Sequence, residues 1–190
     1  PGEPQVRVTV GGLAEVLEGE SRPGHFDGVA TVVSKFFNLV QPERAYFGQK
    51  DAQQVAVIKA LIRDLSYDIE LVVCPTLRED DGLAMSSRNA YLTPEQRQRA
   101  TILYRALEAG RAELVEAGDA TLAEKKMVEV LGSGPHVELD YARAVDPDDF
   151  GAPAMGEPVL LAVAAKIGRT RLIDNMLVLP GREATLAARG

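Results

Sequence analysis

The chain has 190 residues, 46% of them hydrophobic and 26% charged, with a formal net charge of -7. That is the composition of a globular protein able to bury a proper core, and the acidic balance argues against a nucleic-acid surface, which needs clustered lysine and arginine. Cys74 is the single cysteine, so an internal disulfide and a cysteine zinc site are both excluded. With no run near the ~20 apolar residues that span a bilayer and no visible signal peptide, a reducing cytoplasm is the expected setting.

The chain opens on Pro1-Gly2-Glu3-Pro4 without a methionine, the beginning expected of a fragment or a processed chain. A strand-like run, Val6-Arg7-Val8-Thr9-Val10, follows at once. Residues 28–40 place Val29, Val32, Val33, Phe36, Phe37 and Val40 at helical spacing, which predicts a helix with these side chains on its buried face. Pro42 ends it, and a short strand Ala45–Phe47 leads to Gly48. Asp51 then stands where it can cap a helix with the apolar face Val55, Ile58, Leu61, Ile62 and Leu65. The next strand, Ile69–Cys74, is nearly all apolar, as for a strand buried on both faces, and Cys74 reads as a small core residue. Helix, strand, helix, strand in this rhythm predicts a parallel α/β arrangement.

Beyond Asn89 the character changes. Thr93-Pro94-Glu95-Gln96 has the cap, the first-turn proline and the third-position glutamine of a helix start, and the helix is expected to run to Ala117 and stop at Gly118. Thr121-Leu122-Ala123-Glu124 predicts a second capping box, with its helix ending at Gly132. The remainder reads as β structure. Val137, Leu139, Tyr141, Arg143 and Val145 share one face by alternation, and Val159–Ala165 and Arg171–Val178 flank a hairpin turn at Gly168-Arg169. The expected organisation is a partial nucleotide-binding domain over residues 1–80 and a small α+β domain over 81–190.

Two polar motifs carry the chemistry. In an open α/β sheet, ligands bind beyond the carboxyl ends of the strands, and Gly48-Gln49-Lys50-Asp51-Ala52-Gln53-Gln54 lies at such an end. Lys50 can set an ammonium against a phosphate, or it can be an ordinary solvated loop lysine. Asp51 and Gln54 have the spacing of a capping box, which needs no ligand. Gln53 and Gln54 point about 100° apart on a helix, so one of them is expected to face inward. Met85-Ser86-Ser87-Arg88-Asn89 offers two hydroxyls and a guanidinium suited to a departing pyrophosphate, and equally to a polar linker. His25 reads as a structural residue or a general base, and His136 as a surface residue. They make no metal pair, and neither a P-loop, a dinucleotide fingerprint nor a nucleophile elbow is present.

Four segments together resemble the pantoate–β-alanine ligase (pantothenate synthetase) family. They are Arg22-Pro23-Gly24-His25-Phe26-Asp27-Gly28-Val29, Tyr46-Phe47-Gly48-Gln49-Lys50-Asp51 with Gln53-Gln54, Asp81-Gly82-Leu83-Ala84-Met85-Ser86-Ser87-Arg88-Asn89 with Tyr91-Leu92, and Thr170-Arg171-Leu172-Ile173-Asp174-Asn175. The resemblance implies the second half of a Rossmann-like doubly wound domain followed by a small α+β domain. It implies a homodimer, and ATP with Mg2+ and the small-molecule substrates pantoate and β-alanine. Pantoate would attack the α-phosphate of ATP to give pantoyl adenylate and pyrophosphate, and β-alanine would then displace AMP. By the same resemblance, Gly48, Gln49, Lys50 and Asp51 line the nucleotide and Leu77 presents backbone to the adenine. Met85, Ser86, Ser87 and Arg88 close over the β and γ phosphates. Lys50, Ser86, Ser87 and Arg88 would be the catalytic groups. Gln54 would hydrogen-bond pantoate, with Val29, Val32, Val33 and Phe47 around its dimethyl group. No metal-ligating residue is implied.

The family's His-x-Gly-His motif and a second pantoate-binding glutamine have no counterpart here, so the chain is expected to be the C-terminal two-thirds of such an enzyme, with little activity alone. Two alternatives remain at this level: another adenylate-forming or nucleotidyl-transferring enzyme of the same superfamily, or a non-catalytic dimerising fragment.

Overall fold

The computed structural model describes residues 5–179. The chain separates into two compact units, one formed by Pro1–Pro75 with Asp148–Phe150 and the other by Thr76–Pro147 with Gly151–Gly190.

In the first unit a short helix α1 (Glu18–Ser21) precedes α2 (His25–Val40), strand β1 (Arg44–Gly48), α3 (Ala52–Asp64) and strand β2 (Glu70–Cys74). β1 and β2 pair in parallel, from Arg44 opposite Glu70 to Gly48 opposite Cys74. Parallel neighbours require a crossover, and α3 supplies it. Phe26, Ala30 and Phe37 of α2 meet Val57, Ile58 and Leu61 of α3 over Ala45 of β1, which makes the core of this unit.

Several expectations need correction here. Among the described residues, Val6–Val10 forms no strand and joins no sheet. Its backbone is satisfied instead by α2 side chains, Val8 N donating to Thr31 Oγ1 at 2.9 Å and Val10 N to Asp27 Oδ1 at 2.8 Å. The buried face of α2 is also rotated from the expected one, because Phe26, Ala30 and Phe37 turn inward with Val29 and Val33 beside them. Val32, Phe36 and Val40 are left 46%, 58% and 67% exposed. On α3, Leu65 at the helix end is likewise exposed. β2, finally, is not buried on both faces: every one of its residues is half-buried or exposed, since its sheet holds only two strands among the described residues. Cys74 is correspondingly half-buried rather than enclosed.

The second unit contains α4 (Pro94–Ala100), α5 (Ile102–Ala117), α6 (Ala120–Gly132) and strands β3 (Val137–Val145), β4 (Val159–Ile167) and β5 (Thr170–Val178). The strands form an antiparallel sheet in the order β3-β4-β5. β4, in the centre, is buried at every position but Lys166. Leu103 and Leu107 of α5 and Met127 and Leu131 of α6 pack on Leu161, Val163 and Ile167 of β4 in one continuous core. The two helices approach closely at Gly110, where an added Cβ would lie 2.6 Å from Met127 Cγ.

The Thr93 capping box is present on both sides: Gln96 N donates to Thr93 Oγ1 at 3.3 Å and Thr93 N to Gln96 Oε1 at 3.0 Å. The expected single helix is two, broken at Thr101, with Gly118 in the left-handed region as its stop. α6 begins two residues earlier than expected. Asp119 caps it, accepting from Thr121 N at 2.7 Å, and Glu124 is drawn away to accept from Ala144 N of β3 at 2.9 Å. The alternation in β3 fails because a bulge between Leu139 and Tyr141 flips the faces, so that Ala142 and Ala144 point into the core and Arg143 is exposed. The β4–β5 hairpin turns at Gly168-Arg169 as expected.

Candidate functional site

In the first unit the site residues gather where β1 gives way to α3. Gly48 is the last residue of the strand, and Gln49–Asp51 make one turn of 3-10 helix before the α-helix starts at Ala52. The capping-box alternative for Asp51 and Gln54 does not hold. Asp51 occupies the position ahead of the helix, but its side chain caps no backbone amide. It faces Lys50 instead, with Nζ to Oδ1 at 3.7 Å, and the lysine side chain is only 16% exposed. The leading amides of α3 therefore carry the partial positive charge of a helix N-terminus with no side-chain oxygen from Asp51 on them. A tucked-in lysine beside them gives a locus suited to anionic oxygen.

Gln53 and Gln54 divide their roles. Gln53 is the inward one, 4% exposed, and its amide is spent on the preceding segment. Its Nε2 donates to Leu13 O at 2.6 Å and Val16 O at 2.8 Å, and its Oε1 accepts from Glu18 N at 3.0 Å. Gln54, half-buried one position on, has no such role. Of the four apolar residues the resemblance assigns around pantoate, Val29, Val33 and Phe47 are half-buried against the core of this unit, whereas Val32 stands on the outer stripe of α2. His25 opens α2 with its ring 5.1 Å from that of Phe26, and His136 lies exposed in the turn before β3.

In the second unit Leu77, Met85, Ser86, Ser87 and Arg88 belong to a narrow strap. Residues 77–85 fold back on themselves through an antiparallel bridge of Arg78 with Ala84, and Met85 N donates to Leu77 O at 2.9 Å. The strap continues into a 3-10 helix, Ser87–Tyr91. Ser86 caps it: its Oγ accepts from Arg88 N at 3.2 Å, which leaves its hydroxyl proton free to be donated elsewhere. Asn89 closes the loop by donating Nδ2 to Ala84 O at 3.0 Å. Met85 and Leu77 are exposed at 56% and 71%.

Sequence reasoning missed the groups that hold this strap. Arg97 of α4 reaches Asp81 at 2.7 Å and Glu79 at 2.7 Å. Its guanidinium, hydrogen-bonded to the Asp81 carboxyl, keeps that carboxyl below its ordinary value, and Arg97 is itself held above its own by the two carboxylates. Arg78 grips Asp174 of β5 in a two-pronged pair at 2.6 and 3.0 Å. An acidic residue between Leu172-Ile173 and Met176-Leu177 on an apolar strand was the available signal, since a carboxylate there needs a partner. Among the described residues no group of three or more His, Cys, Asp or Glu side chains could hold a metal ion, and no helix is long and apolar enough to cross a membrane.

The chain is similar to known proteins over nearly all its length. A family model described as pantoate-beta-alanine ligase matches residues 3–177. Pantothenate synthetase of Caldicellulosiruptor bescii is 51% identical over 174 residues, which cover 90% of this chain and 61% of that protein. The Moorella thermoacetica protein of the same name is 52% identical over 174 residues with the same coverage, 90% and 61%. This chain thus spans about three-fifths of the length of these relatives. The crystal structure of pantothenate synthetase from Thermus thermophilus matches with a TM-score of 0.88 at 45% identity, over 95% of this chain and 66% of that one. The ligase from Francisella tularensis, complexed with beta-gamma ATP and beta-alanine, matches with a TM-score of 0.68 at 33% identity, over 90% of this chain and 58% of that one. The architecture is accordingly Rossmann-like α/β followed by a small α+β part.

Proposed function

This chain belongs to the pantoate–β-alanine ligase family, and we propose on that premise that it serves the ATP-dependent condensation of pantoate with β-alanine. The observation that carries the reading is the β1–α3 junction, where Lys50 and a helix start whose amides Asp51 does not cap sit together at the carboxyl end of a parallel strand. In the first half-reaction a pantoate carboxylate oxygen bonds to the α-phosphorus of ATP as the bond to the bridging oxygen breaks, and pyrophosphate leaves with that electron pair. In the second, the β-alanine amine bonds to the acyl carbon, AMP departs, and the amine proton passes to solvent. Mg2+ enters with ATP as part of the substrate.

The roles follow from chemistry. Lys50 neutralises phosphate charge as the transition state forms. Gly48, without a side chain, lets the phosphates approach the backbone, and Gln49 and Asp51 flank them. Gln54, whose neighbour Gln53 is committed to the fold, is the amide available to pantoate, with Val29, Val32, Val33 and Phe47 taking its methyl groups. Leu77, whose carbonyl already accepts from Met85 N, retains its own N–H for adenine. Ser86 and Ser87 donate hydroxyl protons, and Arg88 its planar fork, to the leaving pyrophosphate. The first unit is read as the nucleotide and pantoate domain and the second as the C-terminal domain of a cytoplasmic homodimer.

The test is ATP–pyrophosphate exchange with the chain extended to its relatives' length. Exchange that requires pantoate is the expected result. Exchange with another carboxylate in place of pantoate would move the assignment to a different adenylate-forming enzyme of the superfamily.

A further inference from the structure

The segment Thr170–Asn175, quoted above for its likeness to the family, has no part in the reaction as proposed, yet it holds the most enclosed ion pair described in the chain. Asp174 is 4% exposed, and its carboxylate takes both prongs of Arg78, Nη1 to Oδ2 at 2.6 Å and Nη2 to Oδ1 at 3.0 Å. The same guanidinium donates to Asn175 O at 3.2 Å and, across the strap, to Gly82 O at 3.0 Å. Its carbon lies 4.7 Å from the centre of the Tyr104 ring. Gly82 presses on that ring from the strap side: with φ +89 and a Cβ position 2.0 Å from Tyr104 Cδ1, it admits no side chain. One guanidinium therefore ties β5 and α5 to both limbs of the strap.

Enclosing such a pair gives little net stability, because desolvation offsets most of the Coulomb attraction and an apolar replacement often serves as well. Two parallel hydrogen bonds do fix direction and distance. What they fix here is the strap that runs directly into Met85–Arg88, while Asn89, bonded to Ala84 O, ties the far side of that segment. We propose that Asp174 and Arg78 are positioning residues: Asp174 orients Arg78, and Arg78 holds the strap so that Ser86, Ser87 and Arg88 present their donors to phosphate in a preset arrangement. The purpose of the loop rests on the function proposed above; the anchoring itself does not.

The experiment pairs a local readout with a kinetic one in Asp174→Asn, which keeps the side-chain shape, and in the milder Arg78→Lys, which keeps the charge in case the first fails to fold. In the 190-residue chain, well below each variant's thermal midpoint, tryptic cleavage after Arg88, followed by mass spectrometry, should accelerate at least tenfold relative to cleavage elsewhere in the second unit. The midpoint itself should fall, because one partner of an enclosed pair has been removed. At the relatives' length, the KM for ATP in pantoate-dependent pyrophosphate exchange should rise about tenfold or more, with the KM for pantoate within twofold. Cleavage after Arg88 at the unaltered rate in a folded variant overturns the anchor. Faster cleavage with both Michaelis constants unchanged overturns the positioning role, leaving the pair as structural. A parent enzyme with no exchange at all would instead overturn the ligase reading, and the cleavage arm would still decide on the anchor.

Discussion

Lys50 combines a side chain only 16% exposed with an acidic neighbour 3.7 Å away that is itself half exposed. Asp51 lies beside the ammonium without enclosing it, so the ammonium can be turned to a phosphate oxygen when one arrives. If it stabilises charge that develops on the phosphates, Lys50→Ala at the relatives' full length should slow the adenylation half-reaction by about 10²–10³, the scale of losing one electrostatic stabiliser. Single-turnover pyrophosphate release measures this, and a rate within twofold of the parent would remove Lys50 from the chemistry. Ser86→Ala and Ser87→Ala should each cost less, because a neutral donor contributes about 0.5–1.5 kcal/mol. Gln53 was half legible at this scale. The tandem glutamines required one to turn inward, but only the fold tells which, because its partners Leu13 and Val16 lie 40 and 37 positions away.

At the scale of elements, what could be read from sequence was what is settled locally. Thr93-Pro94-Glu95-Gln96 contains both members of its capping box, and the box forms. Thr121 and Glu124 have the same spacing, yet Asp119 supplies a carboxylate two residues earlier and β3 claims Glu124 from 20 positions away. The β3 bulge and the pairing of Val8 and Val10 with α2 side chains are likewise decided by partners distant in sequence. The strap belongs to this class too, since Arg78 and Asp174 are separated by 96 positions. Its second clamp makes a prediction about pH. The hydrogen bonds from Arg97 depress the Asp81 carboxyl below its ordinary value of about 3.9. A depressed carboxylate lends its stabilisation fully above that ordinary value, and loses it as the pH falls through the lower folded one. The Leu83 amide, which donates to Asp81 Oδ1 at 3.2 Å, should report this by NMR with a midpoint below that of a free aspartate. Arg97→Gln should move the midpoint upward. An unchanged midpoint would mean that Arg97 does not hold Asp81 in solution.

The two units of the molecule differ in how completely they bury themselves. The second places Leu103, Leu107, Met127, Leu131 and most of β4 beyond the reach of water around a three-stranded sheet with helices against it. In the first, two parallel strands carry one small core, and Val32, Phe36, Leu39, Val40 and Tyr46 stay exposed. Parallel sheets are stable when both faces are covered, and a pair of strands is marginal on its own. Local opening should therefore be easiest in β1 and β2 and hardest in β4, since the free energy of opening follows the apolar surface and enclosed hydrogen bonds lost. Amide hydrogen exchange on the 190-residue chain would rank them. The amides of Leu161, Val163 and Ala165 should be the last to exchange, and those of Tyr46, Val72 and Val73 should exchange faster by at least tenfold, a difference of about 1.4 kcal/mol in opening free energy. Equal protection would mean that the units open as one cooperative body, and that the exposed apolar stripe of α2 does not weaken the first of them. The expected ranking would place the β1–α3 junction, with Lys50 and Gln54, in the part of the chain that is least able to hold its own geometry.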